Sequence, residues 1–246
     1  MKASINRRDR YKKTAVQEGW RARSAYKILQ IHEELGIFNN CTRVVDLCSA
    51  PGSWSQVAAK VIPESPNRKI ISIDLREIKP IEGVTILRGD ITSESTAMQV
   101  IDLMEGHKSD IVLADGAPDT IGRIEFDEYV QHGIVRASLC ITTMLLKEGG
   151  TFVSKIFRTG SVFSLFRHFK YFFNDVILAK PRASRLSSVE SFIVCRGFKI
   201  PQGYVPSLIT SDLPSVEEEE PDVPFVPCGD PYGYDSERTY PLSDDE

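Results

Sequence analysis

The feature that most constrains the fold is a regular alternation of short apolar runs with longer amphipathic stretches between residues 43 and 195. Runs at 43–48, 69–75, 84–88, 110–115, 151–157 and 191–195 read as strands. Several are almost continuously apolar, as expected of parallel strands covered on both faces. Between them, 53–62, 93–105, 127–146 and 161–173 carry helical periodicity, and the pair Gly149-Gly150 marks the stop after the third. An earlier helix opens at Ser24 as N-cap and closes at Gly36. Strand and helix in strict turn predict an α/β, doubly wound sheet with helices on both faces. The 246 residues accommodate one such domain with appendages.

Charge divides the chain differently. Residues 1–30 carry nine basic and two acidic side chains, a balance of +7. Residues 31–149 balance at −7, residues 150–200 at +7 and residues 201–246 at −11. The net charge of −4 is thus a cancellation, and taken alone it conceals two blocks suited to a polyanion. The first 20 residues lack periodicity and read as a basic arm. Beyond residue 200, eight of the 14 prolines and the run Glu217–Glu220 describe an acidic tail. Within it, Phe225, Tyr232, Tyr234 and Tyr240 provide aromatic groups suited to docking. The expected divisions are a basic arm at 1–22, a catalytic domain at 23–200 and the tail at 201–246. Cys41, Cys48, Cys140, Cys195 and Cys228 form no C-x-x-C pair, so neither a metal site nor a disulfide framework is expected. The absence of a signal-like apolar stretch points to a cytoplasmic protein.

The strand ends carry the chemistry. The first strand opens into SAPGSWSQ, where Gly52 permits close approach of backbone to a ligand. Asp74 ends the second strand, placed to receive ribose hydroxyls, and Asp90 follows the third, placed to receive an adenine amino group. A nicotinamide-dependent oxidoreductase would require G-x-G-x-x-G, and no G-x-G occurs. An adenosyl ligand without a pyrophosphate fits better. Four further charged residues border apolar strands or the first helix: Lys27, Asp115, Lys155 and Glu190. They read either as salt bridges at the sheet edge or as a proton-handling site. In the second reading a lysine accepts a proton from a ribose 2′-hydroxyl. A neighbouring lysine lowers its pKa and the carboxylates raise it, and the sequence leaves the balance open.

The strings GWRARSAYK, DLCSAPGSWSQ, DGAPD, KIFR and SSVESF resemble the FtsJ/RrmJ family of RNA ribose 2′-O-methyltransferases over roughly residues 7–200. The resemblance implies a Rossmann-like, S-adenosylmethionine-dependent methyltransferase fold with a seven-stranded, mostly parallel sheet whose last strand is antiparallel, and it places the remaining strand at 176–179. It implies a catalytic tetrad of Lys27, Asp115, Lys155 and Glu190, with Lys155 as proton acceptor. It further implies S-adenosylmethionine as cofactor, bound by Gly52, Trp54, Asp74, Asp90 and Asp115. Within the family, GWRARSAYK, DGAPD and the tail VPFVPCGDPYGYDSERTYPL are similar to the eukaryotic tRNA branch. That branch implies methylation of anticodon-loop ribose at positions 32 and 34, with WD-repeat and helical-repeat (armadillo/HEAT-like) protein partners and no membrane. Ribosomal or messenger RNA is the alternative substrate. An RNA-binding protein that keeps the fold without activity is the alternative of another class. The basic residues Arg7, Arg8, Arg10, Lys12, Lys13, Arg21, Arg23, Arg158, Lys180, Arg182 and Arg185 are the expected RNA contacts.

Overall fold

The computed structural model describes residues 10–118, 122–159, 162–185, 187–214 and 222–233. Eight strands form one sheet: β1 (Arg43–Leu47), β2 (Lys69–Asp74), β3 (Thr85–Arg88), β4 (Ser109–Ala114), β5 (Leu146–Phe157), β6 (Phe173–Pro181), β7 (Glu190–Phe198) and β8 (Phe225–Cys228). Their spatial order is β3-β2-β1-β4-β5-β7-β6-β8. The order reverses at β1, and β7 runs antiparallel to both β5 and β6. Seven strands are those expected of the fold. The eighth comes from the tail, which adds a parallel strand beside β6.

The strand side chains alternate between two helical layers. Val45, Leu47, Ile71, Ile73, Val112 and Ala114 face one core with α4 (Glu94–Leu103), α5 (Ile124–Leu145) and α6 (Val162–Phe172). Val44, Ile70, Ile111, Leu113, Val153 and Phe192 face the other core with α2 (Ser24–Leu35) and α3 (Ser53–Val61). This period-2 division later decides which side of the sheet holds each charged residue.

Three expectations change. Residues 10–17 are not an unstructured arm but a helix, α1 (Arg10–Gln17), whose Tyr11 and Ala15 are buried. Its eight residues show the apolar contacts only in the context of α2, where Tyr11 packs against Tyr26 at 5.4 Å. Helix α2 already includes the expected cap Ser24 as its first residue, with Arg23 in the N-cap position and no side-chain cap bond. Its end is as expected, since Gly36 takes φ 62°, a left-handed conformation that glycine adopts without steric cost. Gly149 and Gly150 lie within β5 rather than at the helix stop, next to a shift of register opposite Ser109 and Ile111. Helix α5 ends instead at Leu145.

Candidate active site

Parallel pairing in register brings the carboxyl ends of the strands to one level. Leu47 pairs with Ile73 on one side and Ala114 on the other, and Asp74 pairs with Arg88. The loop after β1, Asp74, Asp90 and Asp115 therefore share one edge. They border a cavity of about 1270 Å³, with Cys48, Asp74, Gly89, Asp90, Asp115 and Gly116 in its wall.

The loop after β1 is closely held. Cys48 has φ 52°, the Ala50-Pro51 peptide is cis, and Gly52 has φ 100°. At φ 100° a side chain on residue 52 would be strained, and its Cβ would also press on the Ile81 Cδ1 tip at 2.6 Å. Asp74 fastens the loop: its Oδ2 accepts the Ala50 N–H at 2.8 Å and its Oδ1 accepts the Arg76 N–H at 2.8 Å. Arg21 reaches in from before α2 and donates to the carbonyls of Pro51 (2.9 Å), Lys79 (2.7 Å) and Pro80 (2.6 Å). Below the loop lies a buried chain of hydroxyls. Ser49 bonds Ser72 at 2.8 Å, Ser72 bonds Ser55 at 2.9 Å, and Ser55 donates to Asp46 Oδ2 at 2.6 Å. Burial pushes the Asp46 carboxyl up to about 8, against the Ser55 hydrogen bond.

The tetrad assembles through the same alternation. Leu113, Val153 and Phe192 face the α2/α3 core. Asp115, Lys155 and Glu190, each two residues away, project toward that side, where α2 presents Lys27. Lys27 Nζ lies 2.6 Å from Glu190 Oε1, and Lys155 Nζ lies 3.2 Å from Glu190 Oε2 and 3.7 Å from Asp115 Oδ1. Their side chains are between 11% and 19% exposed, so the charges interact with little screening. Burial would raise the Glu190 carboxyl, but Lys27 and Lys155 outweigh it and hold the group at about 2. Burial would lower Lys155, but Asp115 and Glu190 prevail and raise it. Burial raises Asp115, with Lys155 and Lys27 opposing. The balance left open by the sequence thus falls on the side of a protonated Lys155.

Among the expected cofactor residues, Asp74, Asp90 and Asp115 line the cavity. Asp90 is exposed and accepts the Thr92 N–H at 2.9 Å. Gly52 shapes the loop without reaching the cavity wall. Trp54, also expected to bind the cofactor, keeps its side chain out of the cavity wall. It is 2% exposed, packs 5.6 Å from the Phe192 ring and donates its indole N–H to Ser24 O at 3.0 Å. A large apolar residue on the inner face of α3 is drawn into the α2/α3 core.

Several expected RNA contacts are also committed elsewhere. Arg21 holds loop carbonyls as described, and Arg23 Nη2 donates to Ala183 O at 2.5 Å. Lys180 Nζ donates to Ser188 O at 2.8 Å and Glu190 O at 2.5 Å. Arg10, Lys12, Lys13, Arg158 and Arg185 remain on the exposed surface, and Arg7 and Arg8 lie outside the described residues. Tyr234, Tyr240 and Glu217–Glu220 lie outside them too.

One wall of the cavity went unread in the sequence. Glu125, Glu128, Tyr129, His132, Gly133 and Arg136 of α5 line it. Their spacing follows one helical face, so the row of charged and aromatic side chains along that face was the available signal. Gln131, on the same helix, donates to Gly116 O at 3.1 Å and Lys155 O at 3.0 Å, tying α5 to both the β4 loop and β5.

Comparison with known proteins gives this geometry its context. The model of the FtsJ-like methyltransferase family matches residues 20–198. A human tRNA (cytidine(32)/guanosine(34)-2′-O)-methyltransferase is 44% identical, with 98% of this chain and 76% of that protein covered. A Schizosaccharomyces pombe protein of the same name is 40% identical, covering 98% of this chain and 88% of its own. A crystal structure described as a ribosomal RNA methyltransferase from Plasmodium falciparum superposes with a TM-score of 0.61 at 25% identity, covering 73% of this chain and 98% of that one. With the family model matching residues 20–198, well over half of its length, the chain belongs to the FtsJ-like methyltransferase family.

Proposed function

We propose that this chain methylates the ribose 2′-hydroxyl of tRNA anticodon-loop nucleotides, at positions 32 and 34, with S-adenosylmethionine as methyl donor. The observation that carries the reading is the Lys27–Glu190–Lys155–Asp115 cluster set against a cavity rimmed by carboxylates. The substrate comes from the names of the relatives that match nearly the whole chain.

The cavity suits S-adenosylmethionine by its donor and acceptor chemistry. The ligand offers ribose hydroxyls, an amino-bearing base and two cationic centres, and the wall offers Asp74, Asp90 and Asp115. Asp115 Oδ1 is buried without a hydrogen-bond partner, since Lys155 at 3.7 Å is beyond bonding range. Bound there, the cofactor supplies an electrophilic methyl group. Asp74 and Asp90 would hold its adenosyl part, and Asp115 would serve both the cofactor and the tetrad.

Lys155 is the proton acceptor. As the 2′-hydroxyl is methylated, its proton passes to Lys155 Nζ, which must first be neutral. Glu190 and Lys27 orient that amine, and alignment of the hydroxyl contributes to rate alongside proton transfer. The exposed basic residues Arg10, Lys12, Lys13, Arg158 and Arg185 contact the RNA backbone. WD-repeat and helical-repeat proteins engage the acidic tail, and the protein works in the cytoplasm.

A second reading, methylation of ribosomal RNA, is favoured by the Plasmodium likeness. Labelled S-adenosylmethionine offered with purified tRNA or ribosomal RNA separates the two. Label in tRNA ribose at 32 and 34 supports the proposal, and label in ribosomal RNA alone replaces it with the second reading.

A further inference from the structure

Glu190 has a third partner outside the tetrad. Its Oε1 receives Lys27 at 2.6 Å and also the Ser184 hydroxyl at 2.5 Å, leaving Oε2 toward Lys155 at 3.2 Å. Ser184 is 1% exposed and absent from the cavity wall, so it touches neither cofactor nor RNA directly. Two donors on one oxygen fix the rotation of the carboxylate about its terminal bond. That rotation decides which oxygen faces the lysine proposed as base.

The turn that carries Ser184 is held from three directions. The Ser184 N–H donates to Pro181 O at 2.9 Å, closing the turn. From α2, Gln30 Oε1 accepts the Ala183 N–H at 2.9 Å and Arg23 Nη2 donates to Ala183 O at 2.5 Å. From the tail, Cys228 O accepts the Arg182 N–H at 2.9 Å, and Pro181 pairs with Cys228 in the sheet. Gly229, at φ 100°, packs so closely on Gln30 that a Cβ there would lie 2.8 Å from Gln30 Cδ. The tail strand thus reaches the tetrad through Gln30, the turn and one hydroxyl.

We propose that Ser184 is a positioning residue for methyl transfer, acting on Lys155 through Glu190, and that β8 and Gly229 hold the turn in place for it. The proposal rests on the methyl-transfer reading above. A hydrogen bond to a charged group is worth enough that its loss in Ser184→Ala should lower kcat about tenfold. Binding is not at stake, so KM for S-adenosylmethionine and for tRNA should hold within about twofold. Ser184→Thr keeps the hydroxyl and should recover most of kcat.

The test measures kcat and both KM values on tRNA for the full chain and its variants, with lysate from cells lacking the protein added to supply any separate partner. Gly229→Val is measured beside them, because it disturbs Gln30 without altering the Ser184 site itself. A fall in kcat alone for Ser184→Ala and Gly229→Val, with recovery in Ser184→Thr, supports the proposal. Unchanged kcat in Ser184→Ala, equal loss in the threonine variant, or a rise in cofactor KM matching the fall in kcat overturns it for Ser184. Should Ser184→Ala fail to fold, Gly229→Val decides, and wild-type kcat in that variant overturns the tail's part. Failure of the wild-type chain to methylate tRNA would instead overturn the methyl-transfer reading.

Discussion

Lys155 is held by two carboxylates that oppose what a base must do. Asp115 and Glu190 raise its pKa despite burial, so at neutral pH it carries its proton. If release of that proton precedes methyl transfer, the rate at saturating substrates should climb about tenfold per pH unit between pH 7 and 9. A flat profile over that range would remove Lys155 from the proton's path. Lys155→Ala should cost on the order of 10²–10⁴ in kcat while cofactor affinity, read by calorimetry, persists. Glu190 gives a separate signature in stability. Its folded pKa of about 2 lies below the ordinary value of 4.5, so its ionised form stabilises the fold above about pH 4.5. That contribution fades as pH falls toward 2. The stability difference between wild type and Glu190→Gln should therefore shrink on acidification, and a pH-independent difference would contradict the ion-pair network. The four residues that the structure brings together could be singled out in the sequence because each stands inside its own motif. Ser184 could not, because a serine in a turn has no signature until the turn is seen to point at Glu190.

At the level of elements, period-2 alternation did most of the sorting. It sends Asp115, Lys155 and Glu190 to the side of α2, and a register slip of one residue on β5 would send Lys155 to the other side. The strands and the helices between them were readable because each is long enough to show its period. Helix α1 was not, because its eight residues bury only Tyr11 and Ala15 and gain their packing from α2. For Trp54 the motif context implies cofactor binding, and the structure adds that its side chain lies in the α2/α3 core. Trp54→Ala should therefore cost roughly 3–5 kcal/mol of stability. Trp54→Phe should retain cofactor affinity within about threefold, and a large loss there would restore direct contact. Arg21 likewise acts on the loop it clamps. Arg21→Ala should weaken S-adenosylmethionine binding by loosening Pro51 and the 79–80 segment. If tRNA affinity falls while cofactor affinity stands, Arg21 is an RNA contact after all.

For the molecule as a whole, the charge map separates into residues that build the site and residues that face solvent. Composition alone assigned both basic blocks to RNA, yet Arg21, Arg23 and Lys180 spend their donors on backbone carbonyls. Side-chain direction, not charge count, made that division, and one-dimensional sequence does not contain it. The exposed Lys12, Arg158 and Arg185 should carry the salt dependence. Replacing any one by alanine should reduce the slope of log affinity against log salt by roughly 0.7–0.9 if it meets a phosphate. The tail belongs partly to the body, since β8 completes the sheet edge beside β6. The central claim joins these scales: a tetrad built on the sheet edge methylates tRNA anticodon-loop ribose. Its most direct test is 2′-O-methyl mapping of tRNA from cells lacking the protein and re-supplied with either the wild-type chain or Lys155→Ala. The account predicts methyl groups at positions 32 and 34 restored by the wild type and absent with the variant, whereas equal restoration by both, or full methylation without either, would contradict it.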